Sequence, residues 1–369
     1  MKIGIITYHR AHNYGALLQL YSLKSHLSQN NNEVEIIDYW PKYHSDEYSI
    51  FSRFSELLFK TKVKRVLFFI FDFYRILKRR NGYLGFIKNN LGLSKSVKFV
   101  TKESINNQNF EVVIYGSDQI WRRHNLPQFK EFDDVYFGNY PLHAIKKITY
   151  AASMGEINLN EADKSFIATS LKNFDTISVR ELSLKNEIKE LVNKQISLVL
   201  DPVFLLSKNK WIELLQLPVK RDKYVFLYQL LRSDDSLLLT KKAADYYSCE
   251  VVEIPGTSVD PLLWAKRYNQ TASPIEFLTQ IKNAEFVVST SFHGVAFSII
   301  FEKQFYALGM GNNSGRVQDL LTSLNLQDRY IQNVEDADFT NFIDYKNVNE
   351  MLHPLKENSI QFLKEAISL

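Results

Sequence analysis

The most pointed stretch of chemistry in the chain is Ser289-Thr290-Ser291-Phe292-His293-Gly294, which joins an apolar, β-branched run to a helical one. An imidazole at such a junction can act as acid or base near neutrality. Ser291 adds a hydroxyl, and Gly294 lets the start of a helix approach a ligand closely. A histidine that only caps the helix is the plain alternative. Downstream, Gly309-Met310-Gly311-Asn312-Asn313-Ser314-Gly315-Arg316 repeats the arrangement. Asn313 and Ser314 offer donors and Arg316 a cation, which suits an anion cradle, although turns use the same residue types. In Ser178-Val179-Arg180-Glu181 an arginine ends another apolar run. Its fork fits a carboxylate or a phosphate, or it pairs with Glu181 or another acid of the chain.

Three further loops carry polar groups directly after apolar runs. His9–Gly15 presents His12, Asn13 and Tyr14 at the mouth of a helix, where anions are favoured. Asn13 could equally cap that helix, and the loop is not the glycine pattern of dinucleotide sites. Gly116-Ser117-Asp118-Gln119 precedes Trp121-Arg122-Arg123, so Ser117 and Asp118 stand beside a ring for a sugar face and cations for a phosphate. Ser and Asp there also suit a helix cap. Ala151-Ala152-Ser153-Met154-Gly155-Glu156 combines small residues with a carboxylate. Asp118 or Glu156 would supply the proton transfer complementary to that of His293, with Ser153 lining the same loop.

The elements that must position these groups form two alternating series. Apolar runs at Lys2–Thr7, Glu33–Asp38, Phe110–Tyr115, Lys147–Ala151, Thr176–Val179 and Ser197–Leu200 predict strands, and the leucines of Ala16–Leu27 fall on one helical face. Helices are predicted over Ala162–Lys172 and Glu181–Leu191. Asp201-Pro202 marks a boundary, after which strands at 224–228, 251–254, 285–289 and 305–308 alternate with helices at 235–247, 275–283, 294–301 and 316–324. The pattern predicts α/β architecture with two Rossmann-like domains facing a cleft, 1–200 and 201–350. Residues 351–369 form a final amphipathic segment, helical over Pro354–Ile367, that could return to the first domain. In such domains ligands bind beyond the carboxyl ends of the strands, where all the loops above fall.

Composition bounds the rest. With 369 residues, the chain exceeds what one core usually supports. A net charge of +4 with local basic runs argues against a nucleic-acid partner. The single cysteine, Cys249, excludes an internal disulfide and a cysteine-rich zinc site. The polar N-terminus lacks a signal-peptide core, and the run Val66–Phe71 is too short to span a bilayer. These features predict a cytoplasmic protein that could sit at the inner face of the cell membrane. Within the Phe-rich insertion at 49–80, eight Lys or Arg stand against one Asp between Lys60 and Arg80. A helix there would make a peripheral membrane contact, or it would be an arm packed on the first domain.

Seven segments in order, HNYGALLQLYSL, YGSDQIW, YAASMG, ISVRE, LDPVFLL, STSFHGVAFSIIFEKQF and SGRVQDLL, resemble the polysaccharide pyruvyltransferase family. The resemblance implies a two-lobed, glycosyltransferase-B-like fold, phosphoenolpyruvate as donor substrate, and a saccharide acceptor with two neighbouring hydroxyls, on a surface polysaccharide or its lipid-linked precursor. No step of such a transfer requires a metal or further cofactor, and the sequence shows no metal-ligand cluster. The product would be a cyclic pyruvate ketal. Arg180 would bind the donor carboxylate or phosphate, and His293 would be the acid–base residue or a pyruvate ligand. Members of the family with an Arg-x-His triplet carry arginine where this chain has Ser291. Arg316 is the expected replacement, with Arg122 or Arg123 in reserve. Two readings compete: a nucleotide-sugar glycosyltransferase, with Tyr228 or Trp264 recruited to stack a base, and a non-catalytic saccharide-binding protein.

Overall fold

A computed structural model describes residues 1–29, 31–47, 73–94, 98–105, 109–140, 142–155, 157–230, 233–255, 271–309 and 315–369. The expectations for Glu156, Asn313, Ser314, Trp264 and the 49–72 part of the basic insertion lie outside the described residues.

The first lobe runs β1 (Lys2–Ile6), α1 (Tyr14–Ser28), β2 (Glu33–Ile36), α2 (Lys42–Glu47), α3 (Phe73–Leu91), β3 (Asn109–Tyr115), β4 (His143–Thr149), α4 (Glu161–Ser170), β5 (Ile177–Val179), α5 (Leu182–Ile188) and β6 (Ile196–Leu198). Its strands lie in the order β2-β1-β3-β4, all parallel. The parallel pair β5-β6 extends the sheet through bridges Ile148–Thr176 and Ala152–Val179. Helix α6 (Lys208–Leu215) leads to the second lobe: β7 (Tyr224–Gln229), α7 (Asp234–Tyr247), β8 (Glu250–Pro255), α8 (Pro274–Asn283), β9 (Phe286–Ser289), α9 (Phe292–Ile300), β10 (Gln304–Leu308), α10 (Gly315–Ser323), β11 (Tyr330–Ile331) and α11 (Tyr345–Ile367). That sheet has the order β11-β10-β9-β7-β8, again parallel.

Both sheets therefore share one doubly wound order, with the second strand outside the first and later strands added on the other side. The result is the expected two-lobed, Rossmann-like α/β fold. In such sheets the winding reverses between the first and third strands, and ligands settle beyond the carboxyl ends there. The loops after β1 and β3, and after β7 and β9, occupy those positions. Every residue of β7 and β9 is buried, which explains why their sequences are apolar throughout instead of alternating.

The hydrophobic core does not divide with the sheets. One buried cluster runs from Ile3, Leu17 and Leu20 through Phe204 and Trp211 to Phe277, Val295 and Phe297. Helix α1 forms the seam: the Tyr14 ring stacks on Phe277 with centroids 4.6 Å apart, and its hydroxyl donates to the Ala272 carbonyl at 2.8 Å. Helix α3 lies in the same seam. Its Arg79, one of the basic residues of the insertion, is buried over the Tyr14 and Tyr83 rings and donates to the Pro255 carbonyl at 3.0 Å. That guanidinium faces protein, not solvent or lipid. Helix α11 begins at Tyr345 rather than Pro354 and carries that proline inside it. Its end rests on the first lobe, where Leu200 N–H donates to Ser359 Oγ at 2.9 Å and Lys146 Nζ to the Ser368 carbonyl at 2.6 Å. Among the described residues no helix is long and apolar enough to cross a membrane.

Candidate active site

His293 is the second residue of α9, which starts at Phe292 because the β9 strand ends at Ser289 and Ser291 takes the extended N-cap conformation. Two glycines fix the ring. A Cβ on Gly294 would stand 2.1 Å from Ser289 Oγ, so only glycine lets α9 start this close to β9. A Cβ on Gly15 would stand 2.0 Å from His293 Nδ1, so the imidazole of the second lobe lies directly on the first turn of α1 in the first lobe. The ring is buried, and its Nε2 stands 3.5 Å from Asp201 Oδ2. This is an ion-pair distance and not a formed hydrogen bond. Nε2 has no hydrogen-bond partner among the described residues.

Asp201 follows β6 and opens a short 3₁₀ turn, Pro202–Leu205, by accepting from Val203 N–H at 3.0 Å. Its other oxygen takes a short hydrogen bond from Arg180 Nη1. Burial alone would raise its proton affinity. The neighbouring His293 imidazole, the Arg180 charge and the Val203 N–H outweigh burial and hold the carboxyl well below the ordinary range. Arg180, just past β5, is buried and spans two acids, with Nε donating to Glu181 Oε1 at 3.1 Å. Its guanidinium lies over the Phe292 ring at 4.9 Å, and Nη2 has no hydrogen-bond partner among the described residues. Burial would lower its proton affinity, but Glu181, Asp201 and Asp118 raise it, so the cation is permanent. Ser153, after β4, orients Glu181 by donating from Oγ to Oε1 at 2.7 Å.

Arg316 opens α10 and completes the cluster. Burial depresses its proton affinity, and the positive charge of Arg180 depresses it further, against the pull of Glu181, Asp118 and Asp201. Its hydrogen-bond partner is neutral: with the Gln119 amide oxygen turned toward it, that oxygen accepts from Nη1 and Nη2, each at 3.0 Å. Asp118 precedes Gln119 in the left-handed region at φ 76°, and its Oδ1 accepts from Gln119 N–H at 2.8 Å. Arg180, Glu181, Asp201, Phe292 and Arg316 line a cavity of about 280 Å³ together with leucines such as Leu198, Leu200, Leu320 and Leu355 and polar residues such as Asp319 and Asn358.

The fold thus brings His293, Arg180, Arg316, Asp118 and Ser153 to one place, and Gly294 and Ser291 shape the loop behind the imidazole. Other candidates belong elsewhere. Trp121 is fully buried, stacked on Phe137, with its indole N–H donated to the Tyr136 carbonyl at 3.1 Å, so it offers no face to a sugar. Ser117 is fully buried and holds strand ends together, Oγ donating to the Ala151 carbonyl at 2.7 Å. Asn13 caps α1, accepting from Ala16 N–H at 3.3 Å. Tyr14 ties the lobes, and His12 stacks on Tyr83 with centroids 5.2 Å apart. Tyr228, weighed for base stacking, is buried edge-on to Phe277 and closed to a ligand. Arg122 lines a separate pocket with Arg123, away from the residues around Asp201. His9 and Arg10, in the loop after β1, are consumed by Asp38, which accepts from Arg10 Nε at 2.6 Å and lies 2.8 Å from His9 Nε2.

Asp201, Glu181 and Gln119 were not singled out as site residues in the sequence. The strand-mouth rule would have found Asp201, because it follows β6 as Arg180 follows β5. The proline after it signals a boundary equally well. Nothing local marks Gln119, whose role depends on an arginine far away in sequence. Among the described residues no group of His, Cys, Asp and Glu is arranged to hold a metal ion.

The model of the polysaccharide pyruvyl transferase family matches residues 13–312. No curated protein matches the chain in sequence. Among solved structures, the UDP-GlcNAc 2-epimerase of Methanocaldococcus jannaschii is similar at 11% identity and a TM-score of 0.47, covering 97% of this chain and 100% of that one. The E. coli heptosyltransferase WaaC with ADP is similar at 10% identity and a TM-score of 0.41, covering 97% and 100%. The glycosyltransferase SnogD from Streptomyces nogalater is similar at 10% identity and a TM-score of 0.40, covering 98% and 96%.

Proposed function

The chain belongs to the polysaccharide pyruvyl transferase family, whose model spans most of its length, and from that premise we propose that it moves the pyruvyl unit of phosphoenolpyruvate onto a saccharide as a cyclic ketal. One observation carries the reading: two guanidinium groups, the buried Arg180 and the half-buried Arg316, line one cavity, beside an imidazole whose Nε2 has no hydrogen-bond partner among the described residues. Glu181 and Asp201 engage Arg180, but its Nη2 has no hydrogen-bond partner among the described residues, and the partner described for Arg316 is the neutral Gln119 amide, which leaves N–H groups of both for an added anion. A compact donor with a carboxylate at one end and a phosphate at the other suits both.

In this proposal Arg180 and Arg316 clamp the two anionic ends. A proton reaches the methylene carbon, making C2 electrophilic, and a sugar hydroxyl attacks C2 while losing its own proton. A second hydroxyl then attacks C2 as the C2–O bond to phosphate breaks. Two hydroxyl protons are released: one is balanced by the new methyl group and the other leaves with phosphate. His293 is the group for these transfers, with its Nε2 3.5 Å from Asp201 Oδ2. Asp118, whose charge acts on both Arg180 and Arg316, is the carboxylate for the complementary transfer, and Ser153 acts by orienting Glu181.

The experiment is incubation of the protein with phosphoenolpyruvate and simple galactosides, mannosides and glucosides, read by mass spectrometry for the pyruvyl ketal. His293→Ala should lower turnover by about 10²–10⁴-fold while the protein still melts cooperatively. Wild-type rates in that variant would remove His293 from the mechanism. Thermal stabilisation by nucleotide sugars but not by phosphoenolpyruvate would overturn the donor assignment.

A further inference from the structure

Glu181 is the N-cap residue of α5, yet its side chain makes no capping hydrogen bond. It lines the cavity beside Arg180 instead and is only 3% exposed. Among the described residues, both donors that reach it use one oxygen. Oε1 accepts from Ser153 Oγ at 2.7 Å and from Arg180 Nε at 3.1 Å. The other oxygen, Oε2, is buried with no hydrogen-bond partner among the described residues. An ionised carboxylate only accepts, and a bare oxygen in such a setting lacks the hydrogen bonds that water would give it. A ligand that donates would restore them. Phosphoenolpyruvate supplies no such group, because its ionised carboxylate and phosphate are acceptors only. Asp201 and Asp319 line the same cavity, so a neutral hydroxyl meets Oε2 without adding to the negative charge already there.

We propose that Glu181 Oε2 accepts a hydrogen bond from a hydroxyl of the saccharide acceptor, which makes Glu181 the residue that selects the hydroxyl laid against the donor. The inference rests on the pyruvyl-transfer reading for the words donor and acceptor, but the hydroxyl preference is measured by binding alone. Arg180 and Glu181 are neighbours in the chain and are joined from Nε to Oε1, and each leaves one atom of the pair without a partner, Nη2 and Oε2. One ion pair therefore offers a donor to the anion and an acceptor to the hydroxyl. Holding both substrates on one rigid pair removes most of the orientational freedom that the attack on C2 would otherwise have to overcome. Ser153 sets which oxygen is left for the ligand, since its Oγ holds Oε1.

Titration calorimetry of the full chain compares methyl galactoside, methyl mannoside and methyl glucoside, the monodeoxy forms of whichever binds tightest, and phosphoenolpyruvate. Wild type is set against Glu181→Gln, which keeps an oxygen for Ser153 and Arg180 and puts an amide donor in place of Oε2. One monodeoxy sugar should bind wild type about tenfold or more weaker than its parent. In Glu181→Gln that difference should vanish, because the parent is weakened. Phosphoenolpyruvate should bind Glu181→Gln as tightly as wild type or tighter, since a negative charge has left the cavity. A carboxylate whose sole task is to hold Arg180 predicts the reverse, weaker phosphoenolpyruvate and an unchanged ranking of sugars. Glu181→Asp keeps the charge but draws it back from the cavity, and it should lose the same discrimination if Glu181→Gln does not melt cooperatively. Discrimination that survives in the variants, phosphoenolpyruvate weakened about tenfold in Glu181→Gln, or no sugar binding to wild type overturns the proposal. If the sugars behave as expected and phosphoenolpyruvate binds neither protein, the hydroxyl assignment stands and the pyruvyl-transfer reading falls.

Discussion

Replacing Gly15 with alanine sets local and tertiary physics against each other. Gly15 lies in the first turn of α1, and considered as a helix position alone, alanine should stabilise it by about 1 kcal/mol. The tertiary structure predicts the reverse. The added Cβ would stand 2.0 Å from His293 Nδ1 and 2.4 Å from Cε1 and Cγ. Ordinary contact is about 3.5 Å, so the imidazole must retreat by roughly 1.5 Å or the lobes must part. Forcing a methyl group into such packing costs about 1–3 kcal/mol, and a catalytic group misplaced by about 1 Å loses on the order of 10²-fold in rate. Denaturant unfolding of wild type, Gly15→Ala, His293→Ala and the double variant measures this directly. Gly15→Ala should destabilise the wild type, yet stabilise or leave unchanged the His293→Ala protein, because the clash is gone. The coupling should fall within about 1–3 kcal/mol. Initial rates should show the single alanine nearly as impaired as His293→Ala. A Gly15→Ala protein that is more stable than wild type, or a coupling near zero, would refute the placement of the imidazole against α1.

Other tests address the buried charges. Asp38 is held at a pKa of about 2, because its hydrogen bonds and charge pairing with Arg10 and His9 outweigh burial. A carboxyl depressed in the fold contributes stability that is present above the unfolded value near 3.9 and lost as pH falls through about 2. Asp38→Asn should therefore be less stable by about 3–5 kcal/mol at neutral pH, since Arg10 is left buried without its acid. The gap to wild type should narrow between about pH 4 and pH 2 in acid-unfolding curves; a constant gap would contradict the assignment. Arg316→Lys keeps a cation but loses the fork that meets Gln119, so phosphoenolpyruvate affinity, read by thermal shift, should fall by about tenfold. Undiminished stabilisation by phosphoenolpyruvate would place the donor elsewhere.

Much of the fold was legible because its signals are local. The continuous apolar runs at Lys2–Thr7, 224–228 and 285–289 name buried parallel strands, and they appear as β1, β7 and β9 within a residue or two at each end. The helices between them follow from spacing and caps, as at Ser273, whose capping box opens α8. The α11 start was not legible, because Pro354 reads as a helix beginning while the helix actually runs through it from Tyr345.

The site divides along the same line. A polar residue after a buried strand is a one-dimensional signal, and it picked out Arg180, His293, Asp118 and Ser153, which the fold brings together. Trp121 carried the same signal and proved to be core, because whether a ring faces ligand or protein depends on what packs over it, here Phe137. The sequence alone determined the strand mouths, their polar residues and the two-series plan, since each follows from neighbours along the chain. Only the tertiary structure decided that His293 meets Asp201 and Gly15, that Arg316 meets Gln119 and that Arg79 is buried in the seam. Those contacts join residues far apart in sequence, and the docking of two lobes through one continuous apolar core is what brings them within reach of each other.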